Sequence, residues 1–229
     1  MAAALAALAF VAAAHAVEFE RSASDSYENS YYPLAVGNYW VYKRPNIEGF
    51  TLLREEIVGT FEDEGSTCFK TEFRKTVHKD KDDPGSLFVE GKNCYCYVGG
   101  SVFNMCVRCE RERDREPYWF VPLKMDDPTI AVLKLPKFLK LDQNWVDMPY
   151  PDQLTRFTVI GAEEVCLHEL NKTFQNCIKV RRDVTLEPRL DGFDWYCPGV
   201  GLVKSEFEKF VARDKTEVMR SILVDYHVK

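Results

Sequence analysis

Eight cysteines are the side chains in this 229-residue chain best equipped for chemistry: Cys68, Cys94, Cys96, Cys106, Cys109, Cys166, Cys177 and Cys197. Two chemistries fit such a set, metal ligation and disulfide formation. Cys94-Tyr-Cys96 and Cys106-Val-Arg-Cys109 resemble two ligand pairs, but only nine residues separate them, fewer than a zinc ribbon places between its knuckles. An even cysteine count in a chain that begins like an exported protein reads instead as a set of disulfides. A redox role for Cys106 and Cys109 lacks the helix start or βαβ setting that lowers a thiol pKa. Beyond the first sixteen residues only His78, His168 and His227 remain, in no metal-binding or catalytic spacing. There is no Gly-x-Ser-x-Gly elbow and no His-Glu-x-x-His helix. Gly85-Ser-Leu-Phe-Val-Glu-Gly91-Lys92 has one residue too many for a phosphate loop and lacks the following Ser or Thr. Glu62-Asp63-Glu64 and Asp82-Asp83 do not follow an EF-hand spacing and read as solvated turns. No catalytic residue, metal or cofactor is therefore assigned. An enzyme would need a site assembled from distant residues such as His168, Asp191 or Asp194.

The segments that must hold these residues are strands. After residue 16 the chain keeps only five Ala, against 11 Tyr, 4 Trp and most of its 15 Phe. It lacks the best helix former and is rich in residues that suit a pleated, half-buried surface. The expected class is all-β: one strongly curved antiparallel sheet, a half-barrel or barrel-like, of about a dozen short strands. Strands are expected near 38–44, 50–61, 67–77, 87–90, 93–98, 102–111, 118–121, 154–167, 173–185, 193–197, 201–211 and 217–227. The turn signals between them include Lys79-Asp-Lys-Asp-Asp-Pro-Gly85, Gly99-Gly100-Ser101 and Arg213-Asp214-Lys215. The alternating run Glu110-Arg-Glu-Arg-Asp-Arg-Glu116 reads as a solvated edge or loop.

Residues 1–16 hold ten Ala and end in Ala14-His15-Ala16, small residues where a signal peptidase reads. They are too short for a transmembrane helix, which needs roughly 20 residues. The expectation is a secretory signal peptide over 1–16, a flexible N-terminal arm over 17–30, and a single β domain over 31–229. No later stretch reaches spanning length without charge. A net charge of −6 argues against a nucleic-acid partner. Localisation is expected to be secreted, in an oxidising extracellular space.

Two cysteine pairings can be argued from hairpins. If Asn171-Lys172 forms a two-residue loop, Cys166 faces Cys177 at about 4.5–5.5 Å between Cβ atoms, and the two are expected to be bonded. A turn about Gly100 brings Cys94 opposite Cys106, a pairing that stays open among the many connectivities eight cysteines allow. Asn171-Lys-Thr173 is the only glycosylation sequon, at the tip of the first hairpin, which makes Asn171 the candidate glycan site. A faint repeat runs through the chain. Leu34–Trp40 matches Leu139–Trp145, Val58-Gly59 matches Ile160-Gly161, and Cys68-Phe-Lys70 matches Cys177-Ile-Lys179, at drifting offsets.

Three segments together resemble a broad group of exported proteins of unknown function: Tyr32-Pro-Leu-Ala-Val-Gly-Asn-Tyr-Trp-Val-Tyr42, Thr173-Phe-Gln-Asn-Cys-Ile-Lys-Val180 and Trp195-Tyr-Cys-Pro-Gly-Val-Gly-Leu-Val-Lys204. In that group PLxVGNxWxY, GTFxNCxKV and WYAPGVGLVK motifs recur in this order. The group is similar to the curved half-barrels of the lipoprotein-localisation factors LolA and LolB. The resemblance spans most of residues 31–210 and implies a fold, with no catalytic residue to carry over. The chain departs from it at Asn171-Lys172, where a Gly-containing turn is usual, and by its seven further cysteines.

Two functions from different classes follow. The first is a disulfide-stabilised, non-enzymatic scaffold acting as a structural or protein-binding component, with a protein partner or self-assembly into an extracellular assembly. The second is a carrier of a lipid or other apolar ligand on the concave face of the sheet, with Trp40, Tyr42, Leu133, Phe138, Trp145 and Trp195 as its candidate lining. The segment 130–141, apolar with three Lys and no acid, could cover the mouth of such a cavity or meet an anionic membrane; the plainer reading is a core-lining connection between sheet halves.

Overall fold

In the computed structural model, alternating burial along the described residues generates a twelve-stranded antiparallel sheet. The structure describes residues 30–46, 49–63, 65–104, 132–137, 139–150, 153–184, 190–212 and 215–229. The strands are β1 (Tyr39–Pro45), β2 (Phe50–Asp63), β3 (Ser66–His78), β4 (Ser86–Val98), β5 (Ser101–Asn104) and β6 (Val132–Leu135). They continue with β7 (Asn144–Tyr150), β8 (Gln153–Leu167), β9 (Lys172–Val184), β10 (Leu190–Cys197), β11 (Gly201–Ala212) and β12 (Lys215–His227). The hydrogen-bonded order is β6-β5-β4-β3-β2-β1-β12-β11-β10-β9-β8-β7. The two ends of this order, β6 and β7, lie beside each other, with no ladder between them among the described residues. The sheet therefore curls into a barrel-like shape with an open seam, as right-handed strand twist favours in a sheet this wide.

The expected all-β class holds, with two strands missed and two merged. Residues 87–90 and 93–98 are one strand, β4. The short β6 and the Pro-containing β7 carry too little alternation to be read from sequence. The expected strand at 118–121 and the end of the one at 102–111 lie outside the described residues, as do the proposed signal peptide and most of the N-terminal arm.

The order of strands divides into two six-stranded meanders, β1–β6 and β7–β12, joined by the β1–β12 ladder. The sequence echo is structural at several levels. Gly37 N–H donates to Ile57 O (2.8 Å) and Ile57 N–H donates to Asn38 O (2.9 Å). At the matching place Asp142 N–H donates to Val159 O (2.9 Å) and Val159 N–H to Gln143 O (2.9 Å). Gly37 and Asp142 both take positive φ, 91° and 63°, to turn the chain into β1 and β7. The halves share a bulge, at Val58 in β2 and Ile160 in β8, where the ladder skips from Ile57 to Gly59 and from Val159 to Gly161. A disulfide joins the third and fourth strands of each half: Cys68–Cys96 and Cys177–Cys197.

These bonds correct the expected Cys166–Cys177 pair. The hairpin does not close on Asn171-Lys172. A 3-10 turn at His168–Leu170 with Asn171 in the left-handed region (φ 49°) lengthens the loop. Leu167 then faces Lys172, Cys166 faces Thr173, and a bulge sets Cys177 opposite Glu163. Cys177 is buried, while Cys166 is exposed and free. Cys94 is also disulfide-bonded, but Cys106, its expected partner, and Cys109 lie outside the described residues.

Candidate functional site: an ionisable cluster inside the barrel

Directly opposed residues of an antiparallel pair share a face, so the registers sort each side chain inward or outward. From β1 the inward residues are Trp40, Tyr42 and Arg44, opposite Glu55, Leu53 and Thr51 of β2. Glu55 continues to Phe73 of β3 and Gly91 of β4. In the second half Phe157 of β8 continues to Arg182 of β9, Gly192 of β10 and Phe207 of β11. One residue pair along, Val180, Asp194, Ser205 and Ser221 form the next inward row.

One end of this interior is filled. Tyr97 Oη–H donates to Tyr32 O (2.7 Å) and accepts from Leu34 N–H (3.0 Å), which fastens residues 32–34 across the barrel. Trp40 Nε1–H donates to Val200 O, and Tyr42 Oη–H to Leu202 O (3.0 Å). Ile57, Val102, Leu135, Val159, Val180, Val203 and Leu223 pack behind them.

Above that layer the interior becomes ionic. Arg44, Glu55, Lys134, Arg182 and Asp194 interact electrostatically with one another and with Tyr42 and Tyr196. Burial pushes the Glu55 carboxyl above its ordinary value, against the opposing pull of Lys134 and of a hydrogen bond from Tyr95. Tyr196, then Asp194 and Glu55, hold the Lys134 ammonium above its ordinary value, although burial and Arg182 pull it down. Burial, and then the neighbouring Arg182 charge, lower Arg44. Burial also raises Tyr32, Tyr42 and Tyr196, so these phenols stay neutral hydrogen-bonding groups. Glu55 and Lys134 are half-buried, so neither is packed entirely out of reach of solvent.

Arg182 is positioned by an absence. Its Nη2 lies over Gly192, where an added Cβ would stand 3.2 Å from it, and its Cζ is 5.4 Å from the centre of the Phe207 ring. Its Nη1 is 3.9 Å from Asp194 Oδ2, a long ion pair. The other half repeats the device with a different side chain: Gly91 makes room for the Phe73 ring.

The residues expected to line a concave ligand face divide. Trp40, Tyr42 and Trp145 point inward, Trp145 stacked on Phe157 at 5.3 Å. Trp195 does not. It occupies the outer face, its ring between Lys204 (4.4 Å) and Lys179 (4.9 Å), with Nε1 bonded to Glu163. Strand alternation explains the error, since Asp194 and Tyr196 on either side face in. The side chains of Leu133 and Phe138 lie outside those described. Leu135 and Leu139 of the 130–141 segment are buried, which supports its reading as a core-lining connection. Asn171 is exposed at its hairpin tip. His168 and Asp191 are exposed, apart from the cluster that Asp194 joins. Among the described residues no three His, Cys, Asp or Glu side chains gather as metal ligands. No described helix is long and apolar enough to cross a membrane. A shallow depression lined by Lys140, Leu141, Asp142 and Gln143 belongs to the turn before β7 and is separate from the cluster.

No protein-family profile matches the chain, and no curated protein sequence does. Among solved structures it is similar to a candidate lipoprotein of Parabacteroides distasonis (TM-score 0.47, 13% identity, covering 87% of this chain and 99% of that one). It is also similar to a candidate exported protein with a YmcC-like fold from Bacteroides fragilis (TM-score 0.47, 12% identity, 86% and 98%).

Sequence reading missed Arg44, Glu55, Lys134 and Arg182. A signal existed. Three of them break a two-residue alternation of core side chains: Trp40-x-Tyr42-x-Arg44, Leu53-x-Glu55-x-Ile57 and Val180-x-Arg182 put a charge where the pattern calls for an apolar group, whereas Lys134 sits in a strand too short to show one.

Proposed function

We propose that the chain is a binding protein that takes a small ligand with a polar head into the barrel interior. The observation that carries this reading is the group of ionisable side chains on the inner wall. Burying such groups opposes folding unless something compensates, and apolar residues of similar volume would serve stability as well or better. The repeat makes the point within one molecule. Glu55 and Phe157 occupy matching positions, and so do Phe73 and Arg182, so the same scaffold accepts an aromatic ring where it carries a charge. A ligand whose body meets Trp145 and Phe157 and whose head meets the charges would account for both. This narrows the apolar-carrier expectation toward an amphipathic ligand. The Cys68–Cys96 and Cys177–Cys197 bonds support work in an oxidising compartment.

Titration with N-phenyl-1-naphthylamine, a neutral aromatic dye, tests the reading. One saturable site with energy transfer from the interior tryptophans is expected. An absence of saturable uptake by folded protein would remove the proposal.

A second reading, a scaffold that binds protein partners through its outer face, draws on four exposed apolar residues at matching places in the two halves. These are Val36 (44% exposed) with Leu141 (65%), and Val58 (44%) with Ile160 (37%). Light scattering after size exclusion reads its self-assembly form, and a monomer at high concentration counts against that form.

A further inference from the structure

Two guanidiniums on the inner face lie near enough for the charge of Arg182 to disfavour that of Arg44. Arg44 reaches in from β1 and Arg182 from β9, four strands away in the sheet order, so curvature alone brings them together. A guanidinium offers five N–H donors in a fixed fork. Arg182 has Asp194 at 3.9 Å, beyond a good charge-assisted hydrogen bond of about 2.7–2.9 Å. Arg44 Nε is fully shielded from solvent and has no acceptor. A buried donor left without an acceptor opposes folding, the more so when it is charged. Lys134 adds a third cation, so the described interior cluster holds Arg44, Lys134 and Arg182 against Glu55 and Asp194. Ser205 and Ser221, inward beside Asp194, supply further hydroxyls.

We infer that Arg44 and Arg182 together receive an anionic head group, a carboxylate or a phosphate, on the ligand of the interior site. The inference rests on the interior-binding reading and adds the charge of the ligand to it. A carboxylate or phosphate has the planar or tripodal set of acceptors that two guanidinium forks match, and it relieves the repulsion between them. A cationic ligand would meet three like charges. A neutral one would leave the Arg44 Nε–H without a strong acceptor.

The test compares two dyes with the same aromatic body, 8-anilinonaphthalene-1-sulfonate, whose sulfonate stands in for the anionic head, and neutral N-phenyl-1-naphthylamine. The full chain is expected to bind the sulfonate at least tenfold more tightly. Raising salt to 0.5 M should reduce that ratio. In Arg44→Met and Arg182→Met the ratio should fall toward one. Arg44→Lys, which keeps charge but not the fork, should fall in between and covers the case in which a Met variant does not fold. Near-UV circular dichroism certifies each variant as native. Competition by dodecanoate, by dodecyl phosphate and by inorganic phosphate then separates a carboxylate from a phosphate head, with dodecanol as the uncharged control. Equal affinity for the two dyes would overturn the anion inference and leave interior binding standing. Failure of both dyes to bind would overturn interior binding and this inference with it. A sulfonate preference that survives in both Met variants would overturn the assignment to the arginines.

Discussion

Cutting the Cys177–Cys197 bond by a Cys177→Ala/Cys197→Ala double substitution should cost about 3.3 kcal/mol. The figure comes from the loop that the bond closes, a sequence separation of 20, through the loop-closure entropy of a cross-linked unfolded chain. The Cys68–Cys96 bond, with a separation of 28, should cost about 3.6 kcal/mol by the same relation. Against a typical domain stability of about 5–15 kcal/mol, either loss is large and easily measured. Both bonds lie in the buried part of matching strand pairs, so the two double variants should be destabilised by similar amounts. Cys166 provides the internal control. It is exposed and free, so Cys166→Ala should stay within about 0.5 kcal/mol of the parent. Had Cys166 been the partner of Cys177, its loss would have opened an eleven-residue loop worth about 2.8 kcal/mol. Urea unfolding of the oxidised proteins, followed by tryptophan fluorescence, reads all three values. Removing a cross-link also loosens the unfolded chain, so the urea slope should rise in the double variants and not in Cys166→Ala. A Cys166→Ala loss equal to that of the Cys177→Ala/Cys197→Ala variant, or a loss below 1 kcal/mol in the latter, would refute the reasoning.

Because Glu55 is held above its ordinary value of 4.5, the unfolded chain ionises there first as pH rises, and stability is lost through the window from 4.5 up to the folded value. Glu55→Gln should therefore gain on the parent as pH climbs through that window, and parallel urea midpoints from pH 4 to 7 would contradict it. Gly192→Ala should cost about 1–3 kcal/mol, since its Cβ would stand 2.7 Å from Glu206 O and 3.0 Å from Phe207 Cβ. Gly161→Ala, with nothing within 4 Å, should be neutral or stabilising by up to about 1 kcal/mol, so equal losses at the two glycines would argue against the packing described. Secretion from a glycosylating host should add mass at exposed Asn171 that an amide-cleaving glycosidase removes; no mass difference between the parent and Asn171→Gln would dismiss the site.

Strand pattern was legible wherever alternation ran long enough between turn residues. β2, β3, β8, β9, β11 and β12 begin and end within about two residues of their expected places. The exceptions have local causes. Val132–Leu135 is four residues long and ends at Pro136, and β7 carries Asp147 and Pro149, so neither shows a strand period. The hairpin that misled the disulfide assignment differs from the expected one by a single 3-10 turn, and one residue of slip changes which face a cysteine occupies. The interior charges were hidden by their neighbours. Arg54-Glu55-Glu56 reads as a solvated patch, and Arg54 and Glu56 do pair on the outside at 3.0 Å, but alternation turns Glu55 between them inward.

Comparison of the two halves separates scaffold from site. Where they agree, the shared residues have structural work: the paired hydrogen bonds at Ile57 and Val159, the bulges at Val58 and Ile160, and the two disulfides. Tyr95 and Tyr196 match as well, one pair along from Asn93 and Asp194, and Gly91 matches Gly192. Where the halves differ in the interior, the differences are charges: Glu55 against Phe157, Asp194 against Asn93, Arg182 against Phe73. If these charges served only to hold the sheet, both halves would be expected to need them, because both solve the same packing problem with the same register. Instead, each of the three positions is charged in one half only: Glu55 in the first, Asp194 and Arg182 in the second. The resulting interior is asymmetric, with Arg182 and Asp194 from the second half facing Arg44, Glu55 and Lys134 from the first. Such asymmetry would give a ligand of the proposed interior site a single orientation, which a symmetric apolar core would not.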